Sequence, residues 1–79
     1  MKIKLNTIED VKNFVNICSH YEGDIDVRQD RHIVDGKSVL GVFSLNLLDP
    51  VKVIIESESE GSKVAFYKDI EKWKEMTVS

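Results

Sequence analysis

The apolar residues of this chain fall into short blocks of two kinds, and the order of those blocks constrains the fold more than any single residue does. One kind repeats every second residue, as a half-buried strand does; the other repeats every three or four, as one face of a helix does. Lys2-Ile3-Lys4-Leu5, Asp24-Ile25-Asp26-Val27-Arg28 and His32-Ile33-Val34-Asp35 read as strands, and Val51-Lys52-Val53-Ile54-Ile55 is the strongest strand signal because β-branched residues dominate it. Ile8, Val11, Val15 and Cys18, flanked by Phe14, Ile17 and Tyr21, recur at helical spacing, with Lys12, Asn13, Asn16, Ser19 and His20 on the other side. Val64, Phe66, Tyr67, Ile70 and Trp73 mark a last helix, with Lys63, Lys68, Asp69, Glu71, Lys72 and Lys74 outside.

The punctuation between blocks agrees with this reading. Asn6-Thr7 offers an N-cap, with the acidic Asp10 three positions beyond Thr7, and Gly23 can take the left-handed conformation that a helix end favours. Gln29-Asp30-Arg31 is a turn between two strands, so the pair forms a hairpin. Ser38 is an N-cap for a short helix through Val39, Leu40, Val42, Phe43 and Leu45, which Pro50 prevents from continuing. In a helix this short one face buries and one does not: Val42 and Leu45 are expected inside, and Leu40 and Phe43 partly exposed. Glu56 to Gly61 reads as a polar loop, and the tail from Glu75 to Ser79 is expected to fray. The order is therefore β-α-β-β-α-β-α. Four amphipathic strands with one apolar face, and three helices that need a surface, predict an α+β fold with the helices on one side of an antiparallel sheet.

Composition narrows the functions. Seventy-nine residues make one domain, 1–79, with a single core. A hydrophobic content of 42% and a charged content of 32% describe a folding globular chain. The net charge of −3 and the scattered Lys and Arg residues give no source of nucleic-acid affinity. One cysteine, Cys18, suits a reducing compartment and is expected to be a small core residue. No apolar run approaches membrane-spanning length, so the expectation is a cytoplasmic protein with neither nucleic acid nor membrane as partner. His20 and His32 have no Cys, Asp or Glu partner at a ligand spacing, and Asp24/Asp26 and Glu56/Glu58/Glu60 lack the grammar of a calcium loop, so no metal and no cofactor are expected.

The segment Asp35-Gly36-Lys37-Ser38-Val39-Leu40-Gly41-Val42-Phe43-Ser44-Leu45 resembles the regulatory serine segment of the HPr family, the phosphocarriers of the sugar phosphotransferase system. The resemblance runs without a forced gap from about Phe14 to Ile55. Within it Tyr21, Asp24, Ile25, Val34, Lys37, Ser38, Gly41, Ser44 and Leu45 fall where the family has the same or a similar residue. It implies an open-faced sandwich, four antiparallel strands under three helices, and a protein of sugar transport that is no enzyme. It also implies that Ser38 is a regulatory phosphorylation site and that Val39, Leu40 and Phe43, with Lys37 and with Lys12 on the first helix, meet protein partners. Those would be phosphotransferase-system enzymes, an HPr kinase or a transcriptional regulator.

The departure is as informative. HPr proteins carry phosphate on a histidine in a His-x-Arg-Pro loop, and no such sequence occurs here. Carried back without a gap, the register puts Thr7 at the histidine, Glu9 at the arginine and Asp10 at the proline. A threonine hydroxyl needs an adjacent base to attack a phosphoryl group, and a carboxylate repels the phosphate that an arginine would hold. With only Lys12 among Glu9, Asn13, Asn16 and Ser19, the first helix has little attraction for acidic partner surfaces. The implied function is a non-catalytic regulatory or protein-binding module acting through the Ser38 helix. A catabolite-repression paralogue in the family also lacks the histidine, keeps the serine and binds a transcriptional regulator once phosphorylated. The alternatives are a carrier using an unusual residue such as His20 or His32, and a structural interaction protein that has lost phosphate chemistry.

Overall fold

The computed structural model describes residues 1–75. Its elements are β1 (Lys2–Ile3), α1 (Ile8–Ser19), β2 (Asp24–Gln29), β3 (His32–Asp35), α2 (Val39–Phe43), β4 (Val51–Glu56) and α3 (Glu60–Ile70), followed by a 3₁₀ turn, Glu71–Trp73. The strands form one antiparallel sheet in the order β1-β4-β2-β3.

The alternation read from the sequence decides which face of that sheet is covered. Ile3, Ile25, Val27, Val51, Val53 and Ile55 point inward and are buried, against Val11, Phe14, Val15 and Cys18 of α1, Val42 of α2, and Phe66 and Ile70 of α3. Each such side chain contributes about 1.5–3 kcal/mol on leaving water. Phe14 meets Trp73 edge-on at 6.1 Å between centroids, and Phe66 meets Tyr21 at 5.3 Å, so the helices are held to one another as well as to the sheet.

Several local expectations change. Ile8 and Val64 sit on exposed sides of their helices, because α1 and α3 need only a narrow stripe to reach the sheet. Trp73 belongs to the 3₁₀ turn and not to α3. The polar loop after β4 is shorter than expected: Ser59 caps α3 by accepting the Ser62 N–H at 3.1 Å, which draws Glu60 and Gly61 into the helix. The hairpin keeps Gln29 paired with His32, leaving Asp30-Arg31 as its loop, with Asp30 at φ 54, a left-handed conformation that Asp tolerates. Gly23 does not cap α1, whose C-cap is His20. Its φ of 101 places it against the end of β4, where an added Cβ would stand 2.2 Å from the Glu56 carbonyl oxygen.

Glu75, expected to belong to a fraying tail, is held by the sheet. The Lys4 N–H donates to Trp73 O at 2.8 Å and the Glu75 N–H to Lys2 O at 2.9 Å, so the chain after α3 pairs with the outer edge of β1. The rest of that expected tail, residues 76–79, lies outside the described residues.

β1 is too short to pair with all of β4. The Val53 N–H reaches Met1 O at 2.7 Å, and the next amide on that side, Ile55, donates at 3.2 Å to the Tyr67 hydroxyl of α3 instead. A side chain from the helical layer thus completes the sheet edge where strand is missing. Tyr67→Phe should lower stability by about 1–2 kcal/mol in a denaturant titration and speed amide exchange at Ile55; unchanged exchange there would show that the hydroxyl is dispensable.

Candidate functional site

Each α-helix starts from a hydroxyl residue in extended conformation. Thr7 Oγ1 accepts the Asp10 N–H at 2.9 Å and Ser38 Oγ accepts the Gly41 N–H at 3.0 Å, as Ser59 does for α3. These bonds satisfy amides that have no partner within a helix.

At the start of α1 the cap is doubled, since Asp10 Oδ2 accepts the Asn6 N–H at 3.1 Å. That backbone donor, with Thr7, holds the Asp10 carboxyl below its ordinary range. The consequence is chemical: Thr7 serves as an acceptor, and the Asp10 carboxylate, a candidate base for it, is already engaged. Lys12 is exposed one turn on.

α2 is positioned from below and behind. Asp35 accepts the Lys37 N–H on its side chain at 2.9 Å and the Ser38 N–H on its carbonyl at 3.0 Å, folding the chain from β3 into the cap. Gly36 is buried there; a Cβ would stand 2.7 Å from Ile25 Cγ2 and 3.2 Å from Cys18 Sγ. At the far end the Gln29 side-chain amide brackets Asn46, donating to its carbonyl at 2.6 Å and accepting its N–H at 2.8 Å. Ser38 is half-buried, Lys37 exposed, Val42 and Leu45 buried, and Phe43 half-buried against the core. Leu40 is 83% exposed and Val39 39%. The helix stops at Phe43 with Ser44 as its C-cap, so Leu45, expected within it, lies just beyond it, while the division into inner and outer residues is the one expected.

Sequence reasoning missed Leu48, which is 84% exposed in the loop after α2. The signal was there: in Leu47-Leu48 two adjacent apolar residues cannot both face the core, and only Leu47 packs against it. It also missed Lys4. Its Nζ donates to Leu47 O at 2.9 Å and to Asn6 Oδ1 at 3.1 Å, tying the segment before Thr7 to the loop after α2. The structure thereby links the start of α1 to the far end of α2, opposite its Ser38 cap. The histidines stand elsewhere: His20 at the C-terminal end of α1, with Nδ1 2.7 Å from Asn16 O, and His32 exposed on the edge strand β3.

A family model described as the PTS HPr component phosphorylation site matches residues 10–72, and the chain belongs to the HPr family. The match starts at Asp10, beyond Thr7 and Glu9. Among solved structures the chain is similar to HPr-C-His from Thermoanaerobacter tengcongensis, with 25% identity and a TM-score of 0.73 over 91% of this chain and 90% of that one. It shares its fold with Crh, the catabolite repression containing protein of Bacillus subtilis, at 18% identity and a TM-score of 0.66 over 94% and 88% of the two chains; that protein was crystallised as a domain-swapped, intertwined dimer. No curated protein sequence matches the chain. No helix among the described residues is long and apolar enough to cross a membrane.

Cys18 lies beneath the site, in contact range of Gly36, and is a core residue as expected. Burial, aided by the Asp35 charge, pushes its thiol up to about 12 from an ordinary 9.0. A raised pKa means that the folded protein holds the proton more tightly, so this contribution to stability is full below pH 9.0 and is lost as pH climbs toward about 12. Iodoacetamide at pH 8 should leave native Cys18 unmodified and label it only after unfolding, and Cys18→Ala should flatten the alkaline fall in stability; rapid labelling of the folded protein would contradict the burial.

Proposed function

We propose that this protein is a single-domain, cytoplasmic, non-enzymatic regulatory module of the sugar phosphotransferase system, binding protein partners through the Ser38 helix. Nucleic acid, membrane, metal and cofactor have no part in the reading. The observation that carries it is the pairing, on α2, of a hydroxyl at the cap with Leu40 exposed to 83% two residues later. A phosphorylatable oxygen and an apolar contact side by side let a modification control docking.

In the proposed step a kinase transfers the γ-phosphoryl group of ATP to Ser38. The Oγ–P bond forms, the bond to the ADP oxygen breaks, and the hydroxyl proton passes to a base of the kinase. Ser38 Oγ accepts a hydrogen bond in its resting state, so its own proton is not needed to hold the cap. The phosphate adds a charge of about −1.5 to −2 at neutral pH. Lys37 favours it and Asp35 opposes it, although the Asp35 carboxylate is partly occupied by the Lys37 N–H. The apolar contact would fall to Leu40, Val39 and Phe43, with Lys37 and Lys12 as the basic residues.

The histidine-dependent relay is assigned no role. Thr7 is occupied as a cap, and its neighbour Glu9 is a carboxylate where the family's loop carries a cation. A carrier reading through His20 has one observation behind it. The Asn16 carbonyl can only accept, so Nδ1 bears the proton and the neutral ring keeps its lone pair on Nε2. The cleft that His20 lines also holds Glu22, Asp24, Glu56 and Glu58, carboxylates that repel a phosphate.

With HPr kinase and ATP the wild type should gain one phosphate by mass and Ser38→Ala none; an unchanged mass for both would remove the switch. Leu40→Asp should move folding stability by less than about 0.5 kcal/mol, since the side chain is already in water. Its kcat/KM as a kinase substrate should fall by about tenfold. An unaffected kcat/KM would show that the kinase does not use this surface.

A further inference from the structure

The face of the sheet turned away from the helices carries its charge in rows. Lys2 of β1 pairs with Lys52 of β4, and Lys52 with Arg28 of β2, so three cations stand side by side across three strands. Four residues along, Glu56 pairs with Asp24. Between the rows lie the half-buried Ile54 and Asp26, with Asp35 beyond Asp26 on β3. Like charges on directly opposed strand positions destabilise a sheet. Folding of one chain therefore gives no reason for this order, and interspersed signs would serve it better. Arg28 reaches Asp26 at 3.4 Å, while Lys2, Lys52, Asp24, Asp35 and Glu56 are in no ion pair among the described residues.

We infer that this open face pairs with the same face of a second copy. The cationic and acidic rows are about 13 Å apart at a strand rise of 3.3 Å. A twofold axis lying in the interface and running across the strands at the Ile54 row reverses their direction. It sets Lys52 and Arg28 of one copy over Glu56 and Asp24 of the other, twice, with Ile54 against Ile54 between them. The same axis sets Asp26 against Asp26 and Asp35 against Asp35, two like-charge contacts set against four opposite-charge ones, and the Asp26 carboxylate is partly neutralised by its own Arg28. A twofold along the strands would instead lay cations on cations. The charges thus select one orientation, as an isologous interface requires.

The face is small. Four strands about 4.8 Å apart and about 17 Å long cover on the order of 300 Å², below the roughly 800 Å² per partner of a stable complex. The dimer is consequently weak, reversible and sensitive to salt, and it leaves the helical face of each copy uncovered. This inference is independent of Ser38 and goes beyond the regulatory reading.

Sedimentation equilibrium of the full chain up to about 1 mM, in about 20 mM and then about 500 mM NaCl, tests it. The expected result is a dimer whose dissociation constant rises at least about tenfold with salt. Lys52→Glu with Arg28→Glu, and separately Asp24→Lys with Glu56→Lys, should each be monomeric, and an equimolar mixture of the two variants should dimerise again. Circular dichroism checks that these exposed substitutions leave the fold intact; if either pair unfolds, Lys52→Gln and Glu56→Gln are compared, each weakening the dimer. A monomer at every concentration overturns the inference, as does a mixture that stays monomeric. A dimer indifferent to salt and to these substitutions also overturns it, and would indicate exchange of a chain segment.

Discussion

One-sided burial of the sheet is the constraint on which the rest of this structure depends. Ile25, Val27, Val51, Val53 and Ile55 all point to one face, and that face accounts for the core. The helices are amphipathic because they have to cover it, and α2 can be only five residues long because Val42 within it and Leu45 just past its end suffice to anchor it. What remains of α2, from Ser38 to Phe43, is held in place by bonds at its ends and needs few contacts of its own. Gln29 fixes one end through Asn46, and Asp35 fixes the other. A short helix secured in this way can show apolar side chains to water without melting, which is what a docking surface requires.

The hydroxyl caps give the second half of the account. Thr7 and Ser38 do the same structural work, each accepting the amide three residues ahead. They differ in their surroundings. Thr7 is followed by Glu9 and Asp10 and by a helix face with Lys12 as its basic residue, whereas Ser38 is preceded by Lys37 and followed by exposed Leu40. Negative charge at the start of α1 suits the helix dipole and repels a phosphoryl group. The same residues thus favour the fold and disfavour a phosphate at that helix start.

Much of this was legible in the sequence because strand alternation and hydroxyl caps are local signals. The strands, the hairpin, the Ser38 cap and the inward placing of Val42 and Leu45 need only neighbours along the chain. What escaped the sequence depends on distant partners. Gly23 reads as a helix stop, yet its reason lies at Glu56; Tyr67 reads as core, yet its hydroxyl finishes the edge of β4. Ile8 and Val64 fit a helical period and still face water, because how much of a helix is covered depends on the curvature of the surface it meets. The charge rows of the open face became visible only once Lys2, Lys52 and Arg28 were set in register across three strands.

The central claim is that this chain retains the scaffold and serine-bearing helix of the HPr family without the chemistry of a phosphate shuttle. Incubation with phosphoenolpyruvate and the first enzyme of the relay tests it most directly, with acid-labile phosphate on the protein as the readout. The account predicts none above the background of the unfolded chain. A stoichiometric acid-labile phosphate that passes on to a sugar-specific acceptor would contradict it.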